Sequence, residues 1–92
     1  MGGKLGALRW ALVQRPDDSI AHLALIHMGA VGNRSWKCFL SVSNLAKLVD
    51  CDPRKVQRKL RYLEQRGYIE HVLEGSRRLT RVYRLYPERE DG

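Results

Sequence analysis

Carboxylates are scarce in this sequence, aromatic residues are few and no long apolar run occurs, and each shortage closes off a class of function. Ten Asp and Glu face seventeen Lys and Arg over 92 residues, a formal charge of +7 at pH 7. The carboxylates are not clustered, and there is no glycine-rich phosphate loop or nucleophile elbow, so the chain offers no constellation for acid–base or covalent catalysis. It is expected not to be an enzyme. Cys38, Cys51, His22, His27 and His71 show no zinc-site spacing, and His22 and His27, five apart, do not share a helix face. No metal or cofactor is expected. No segment approaches the ~20 apolar residues of a membrane span. Met1-Gly2-Gly3-Lys4 precedes only a short apolar stretch that Arg9 interrupts, which is not a secretory signal. A cytoplasmic protein with reduced thiols is therefore expected, with Cys51 in the core and Cys38 in a strand. Trp10 and Trp36 read as packing residues rather than base-stacking platforms.

What is abundant is positive charge, and the excess lies in residues 54 to 84 rather than in a terminal tail. A folded basic surface most simply implies a nucleic-acid partner. Within it, Ser41 to Leu63 reads as two helices and a tight turn. Ser41 or Ser43 can cap the first helix, whose apolar stripe is Leu45, Leu48 and Val49, with Ala46 small enough for a second helix to cross closely. Asp50 and Cys51 turn the chain. Asp52 then caps the second helix and Pro53 takes its first position. From Pro53 to about Arg66 the apolar residues are Val56, Leu60 and Leu63, a stripe for a helix buried on one side only. Arg54, Lys55, Gln57, Arg58 and Arg61 occupy the remaining surface, where arginine and glutamine can bond bidentately to guanine and adenine edges. An ordinary solvated helix mixes signs at i, i+4, whereas here only Glu64 is acidic.

Gly67 suits the left-handed residue that ends a helix. Residues 68 to 73 and 79 to 86 then alternate apolar and polar around Glu74-Gly75-Ser76-Arg77-Arg78, the pattern of a β-hairpin. Arg77 and Arg78 at its tip, with Arg81, can reach phosphates or a minor groove.

On these residues the chain resembles the winged helix-turn-helix domains of phage and plasmid replication proteins and related small regulators. The likeness is carried by Leu45-Ala46, by Asp52 to Leu60, by Leu63-Glu64-Gln65-Arg66-Gly67-Tyr68-Ile69 and by Arg81-Val82-Tyr83-Arg84-Leu85, and it covers roughly residues 9 to 86. It implies an α+β, mainly α fold, a three-helix core with a C-terminal β-hairpin wing. Two positions depart from the pattern. Asp50 stands where glycine is common, and Asp tolerates φ > 0. Lys59 stands where a small apolar residue is usual, which puts its charge either at the rim of the helix packing or towards DNA.

The expected organisation is an N-terminal segment over residues 1–16, a short helix or strand, then the winged domain over 17–87 and a polar tail over 88–92. Asp17 to Gly29 should form the support helix, capped by Asp17, Asp18 or Ser19 and broken at Gly29, Gly32 and Asn33. Lys37-Cys38-Phe39-Leu40 should be a strand against the wing that brings Phe39 to the core. The expected activity is sequence-specific binding of double-stranded DNA, with the helix at about 53–66 in the major groove and the basic wing at about 74–81 on the adjacent backbone. The expected contacts are Ser43, Asn44, Arg54, Lys55, Gln57, Arg58, Arg61, Arg77, Arg78 and Arg81. From the resemblance, this would serve replication initiation or transcription regulation on a mobile element, in a nucleoid-associated cytoplasmic protein with other replication or transcription proteins as further partners. The chain closes in the polar PEREDG without a long dimerisation helix, so a monomer or a weak, cooperative dimer on DNA is expected. The competing reading is a protein-interaction winged helix whose basic face meets an acidic partner. That reading calls for exposed aromatic anchors on the second helix, where only Tyr62 qualifies.

Overall fold

In a computed structural model, which describes residues 4–32, 35–72 and 80–88, four helices and three short strands follow in the order α1 (Lys4–Val13), α2 (Ser19–Val31), β1 (Lys37–Leu40), α3 (Val42–Leu48), α4 (Pro53–Gln65), β2 (Ile69–Val72) and β3 (Arg81–Leu85). The architecture is mainly helical α+β, consistent with a winged helix.

The N-terminal segment is helical, and its small residues decide where it goes. Ala7 and Ala11 are fully buried against α2, where Gly29 lets the two backbones meet: a Cβ on Gly29 would lie 2.8 Å from the Ala7 carbonyl oxygen and 2.9 Å from the Ala11 Cβ. Gly29 therefore does not break α2. The helix runs on to Val31 and ends at Gly32, whose N–H donates to the Gly29 carbonyl. Trp10 joins the core and meets Trp36 edge to face, 5.9 Å between ring centres. Gln14 is also buried, its Nε2 donating to the Trp10 carbonyl at 3.0 Å.

α2 lies beneath α3 and α4, with Ala21, Ala24, Leu25 and Met28 buried and Asp18 as its cap. Ser41 caps α3 and Asp52 caps α4, each through its side chain. Between them Asp50 takes φ 55°, the left-handed conformation in which Asp is among the better-tolerated side chains, and the Cys51 N–H donates to the Ala46 carbonyl at 2.9 Å. α4 buries Val56, Leu60 and Leu63, as its periodicity predicts. It ends at Gly67, φ 82°, with Gly67 N–H donating to Glu64 and Tyr68 N–H to Leu63. That pair of bonds satisfies carbonyls the helix end would otherwise strand.

The strands form one antiparallel sheet in the order β1-β3-β2, with Phe39 opposite Val82 and His71 opposite Tyr83. Two apolar side chains face opposite to expectation. Cys38 and Leu40 are the buried residues of β1, leaving Phe39 56% exposed, because a strand commits alternate residues to one face and here the other pair takes the core. On α3 and its C-cap the inward residues are Leu45, Ala46 and Val49, and Leu48 is 61% exposed. Phe39, Leu48 and Val31 border an apolar groove of about 230 Å³ that Asn44 also lines. Burial pushes the Cys38 thiol up to about 12.

Candidate nucleic-acid interface

The face of α4 opposite its buried stripe is basic. Arg54, Gln57, Arg58 and Arg61 are exposed and Lys55 is half-buried. The helix is held by its three core residues, its cap and its glycine end, so these long donors project from a fixed rod. Ser43 and Asn44 are exposed in the first turn of α3, where the Ser43 and Ser41 hydroxyls lie 3.4 Å apart and the Asn44 N–H donates to Ser41 Oγ.

Lys59 leaves that face. Its Nζ lies 2.5 Å from Oδ2 of Asp18, the residue that caps α2 through Oδ1 and the Ala21 N–H at 2.9 Å. Of the two positions open to its charge, the rim of the helix packing is the one occupied. The hydrogen bond from Lys59 holds the Asp18 carboxyl below its ordinary value, burial acts against this, and the Ala21 N–H adds to the lowering. Tyr62 also turns from the basic face: its hydroxyl accepts from the Asp17 N–H at 3.1 Å and its ring carries the Arg66 guanidinium at 5.1 Å. The aromatic anchor that a protein partner would use on this helix is thus engaged within the fold.

Arg81 opens β3, half-buried, and its Nη1 donates to the Tyr83 hydroxyl at 3.2 Å. It lines a polar cleft between α4 and the sheet with Gln57, Leu60, Arg61, Glu64, His71 and Tyr83. Three expected contacts, Gln57, Arg61 and Arg81, therefore share one recess. Glu64, His71 and Tyr83 complete it and were absent from the expected set, although Gln57, Arg61 and Glu64 fall at i, i+4 and i+7 and so share a side of the helix. Arg77 and Arg78 lie outside the described residues. Among the described residues no group of three His, Cys, Asp or Glu could hold a metal ion, and no helix is long and apolar enough to cross a membrane.

A family model for a helix-turn-helix domain matches residues 21–69, from α2 to the first residue of β2. That span is more than half of the chain. No curated protein and no solved structure matches it.

Proposed function

The chain belongs to the helix-turn-helix domain family, which points to DNA binding, and on that premise we propose that it reads double-stranded DNA by sequence. The observation that carries this reading is the outward face of α4, where Arg54, Gln57 and Arg58 stand exposed near the N-terminal end of a helix fixed on its other side. With that end in the major groove, the arginines can bond bidentately to guanine O6 and N7, and Gln57 to adenine N6 and N7. Lys55 belongs to the same base-reading end of the helix, while Ser43, Asn44, Arg61, Arg81 and the wing arginines Arg77 and Arg78 serve the backbone, setting register without reading bases. The protein acts in the nucleoid as a binding module rather than an enzyme, as a monomer or a weak cooperative dimer. It recognises an origin or a promoter on a mobile element, a role drawn from the resemblance to replication-protein winged domains.

The test is selection of sites from a random duplex library, followed by titration of the enriched site against scrambled DNA over a range of salt. A single motif bound ~10³-fold or more above scrambled DNA at physiological salt supports the reading. Equal affinity for all sequences, vanishing steeply with salt, reduces the basic face to an electrostatic surface and turns the search to an acidic protein partner.

A further inference from the structure

The cleft between α4 and the sheet is built differently from the apolar groove lined by α2, β1 and α3. It has a volume of about 170 Å³ and polar walls. One wall is the row Gln57, Arg61 and Glu64 of α4; the other is His71 on β2 with Arg81 and Tyr83 on β3, and Leu60 completes the lining. Its width is set from inside, because Glu64 Oε1 accepts the His71 backbone N–H at 2.9 Å and ties the helix to β2 at the cleft. The His71 and Tyr83 rings, cross-strand partners, stack at 5.0 Å and make the sheet wall rigid.

The charges are unequal. Among the described residues of the cleft, the guanidiniums of Arg61 and Arg81 outnumber the carboxylate of Glu64, and these three ionised side chains leave one positive charge, the complement of one phosphodiester. The donors suit it as well: two planar forks match phosphate geometry. Tyr83 is 2% exposed, and burial raises its pKa above the ordinary 10.0, so its hydroxyl is protonated at neutral pH. That hydroxyl accepts from Arg81, which orients the guanidinium, and it retains a hydrogen of its own to donate.

We infer that this cleft seats a single phosphate of the DNA backbone, gripped from both sides by Arg61 of the helix and Arg81 of the wing strand. The inference rests on the DNA-binding reading and sharpens it: the two arginines act on one phosphate rather than on two, with Tyr83 as a positioning residue for Arg81. Such a seat locks the helix and the wing to one backbone position and so sets the register of base reading.

The test uses the selected duplex with a neutral methylphosphonate placed at one backbone position at a time, bound by the wild-type chain, Arg61→Ala, Arg81→Ala and Tyr83→Phe. The expected result is one position whose neutralisation weakens wild-type binding about tenfold or more, and the same position losing its effect in both arginine variants. Because the slope counts phosphates rather than arginines, the double variant Arg61→Ala/Arg81→Ala should show a salt slope shallower by about 0.9 in total and not by twice that. In Tyr83→Phe the effect at that position should be reduced, with the preferred sequence unchanged. Arg61 is exposed, so its variant stays folded and reports on the seat even where a change at buried Tyr83 perturbs folding. The inference is overturned when wild-type protein binds its site and the two arginines couple to different phosphates, or either couples to none. Wild-type protein that holds no selected site fails the underlying reading instead, and does so before any methylphosphonate is introduced.

Discussion

Lys59 and Asp18, 41 residues apart, join α4 to the cap of α2 at 2.5 Å. One carboxylate does two jobs, since Oδ1 holds the first turn of α2 and Oδ2 holds α4. Removing Asp18 therefore loosens both. Asp18→Ala should cost about 1–2 kcal/mol, a lost cap with a lost pair, while Asp18→Asn retains capping ability and should cost less. Lys59→Met should cost about 0.5–1 kcal/mol. Denaturant melts of the three variants check the order. Acid adds a second check, because Asp18 titrates below its ordinary 3.8 in the folded state. The contribution of the pair is complete above the unfolded value and is lost as the pH falls through the lower folded value. The stability gap between wild type and Lys59→Met should thus be full at neutral pH and close in acid. A gap unchanged at pH 2 would show that the lysine acts through packing alone.

Gly29→Ala should destabilise even though alanine is the better helix former by about 1 kcal/mol. The added methyl meets the backbone oxygen of Ala7 at 2.8 Å and the Ala11 methyl at 2.9 Å, and a helix backbone cannot yield as the tip of a flexible side chain can. A net loss of about 1–3 kcal/mol, the usual range for overpacking, is expected in thermal or denaturant melts. A variant as stable as wild type would mean that α1 does not pack this closely on α2.

Sequence alone carried the helix-turn-helix and the sheet because their signals are local: caps at Ser41 and Asp52, a stripe at Val56, Leu60 and Leu63, a glycine end at Gly67. It failed where a choice depends on distant partners. Every residue from Lys37 to Leu40 except the first is apolar, so nothing local decides whether Phe39 or the pair Cys38 and Leu40 faces inward. α1 is apolar on several sides, and only its fit to Gly29 selects Ala7 and Ala11 as the buried ones. The partner of Lys59 lies on another helix, invisible to any spacing rule. In the candidate site, the exposed row of α4 was legible from charge and period. The contribution of His71 and Tyr83 was not, because it depends on how the sheet folds back on the helix.

Asp50→Gly should stabilise the turn by up to about 1 kcal/mol, and Asp50→Val should cost about 1–2 kcal/mol. The residue sits at φ 55°, where a β-branched side chain is strained and glycine is not. Part of the glycine gain is offset by the greater freedom of the unfolded chain. Because Asp50 is exposed, neither substitution disturbs packing, and opposite shifts in melting temperature isolate the backbone term.

The two thiols should separate under a thiol reagent. Cys38 is fully buried and its pKa is pushed up to about 12, so its thiolate is negligible at neutral pH, whereas Cys51 is half-buried in the turn. Native protein should lose one thiol promptly, and Cys51→Ser should abolish that reaction. Both cysteines should react once denaturant is added. Prompt labelling of Cys38 in native protein would mean that β1 opens readily.

Base reading and backbone holding should come apart in the α4 variants. Arg58 stands exposed on the outward face, away from the cleft that Arg61 shares with Arg81. Arg58→Ala should cost roughly 1–3 kcal/mol against the preferred base at one position and almost nothing against other bases there, flattening preference at that position alone. Arg61→Ala should weaken all sequences by the same factor and make the salt dependence shallower. Binding of each protein to a set of single-base variants of the selected site, at two salt concentrations, separates the two effects. If Arg58→Ala weakened every variant equally, the arginine would be holding phosphate, and the groove-facing residues would have to be sought nearer the start of the helix, at Arg54 and Gln57. If neither substitution changed binding, α4 would not be the element that meets DNA.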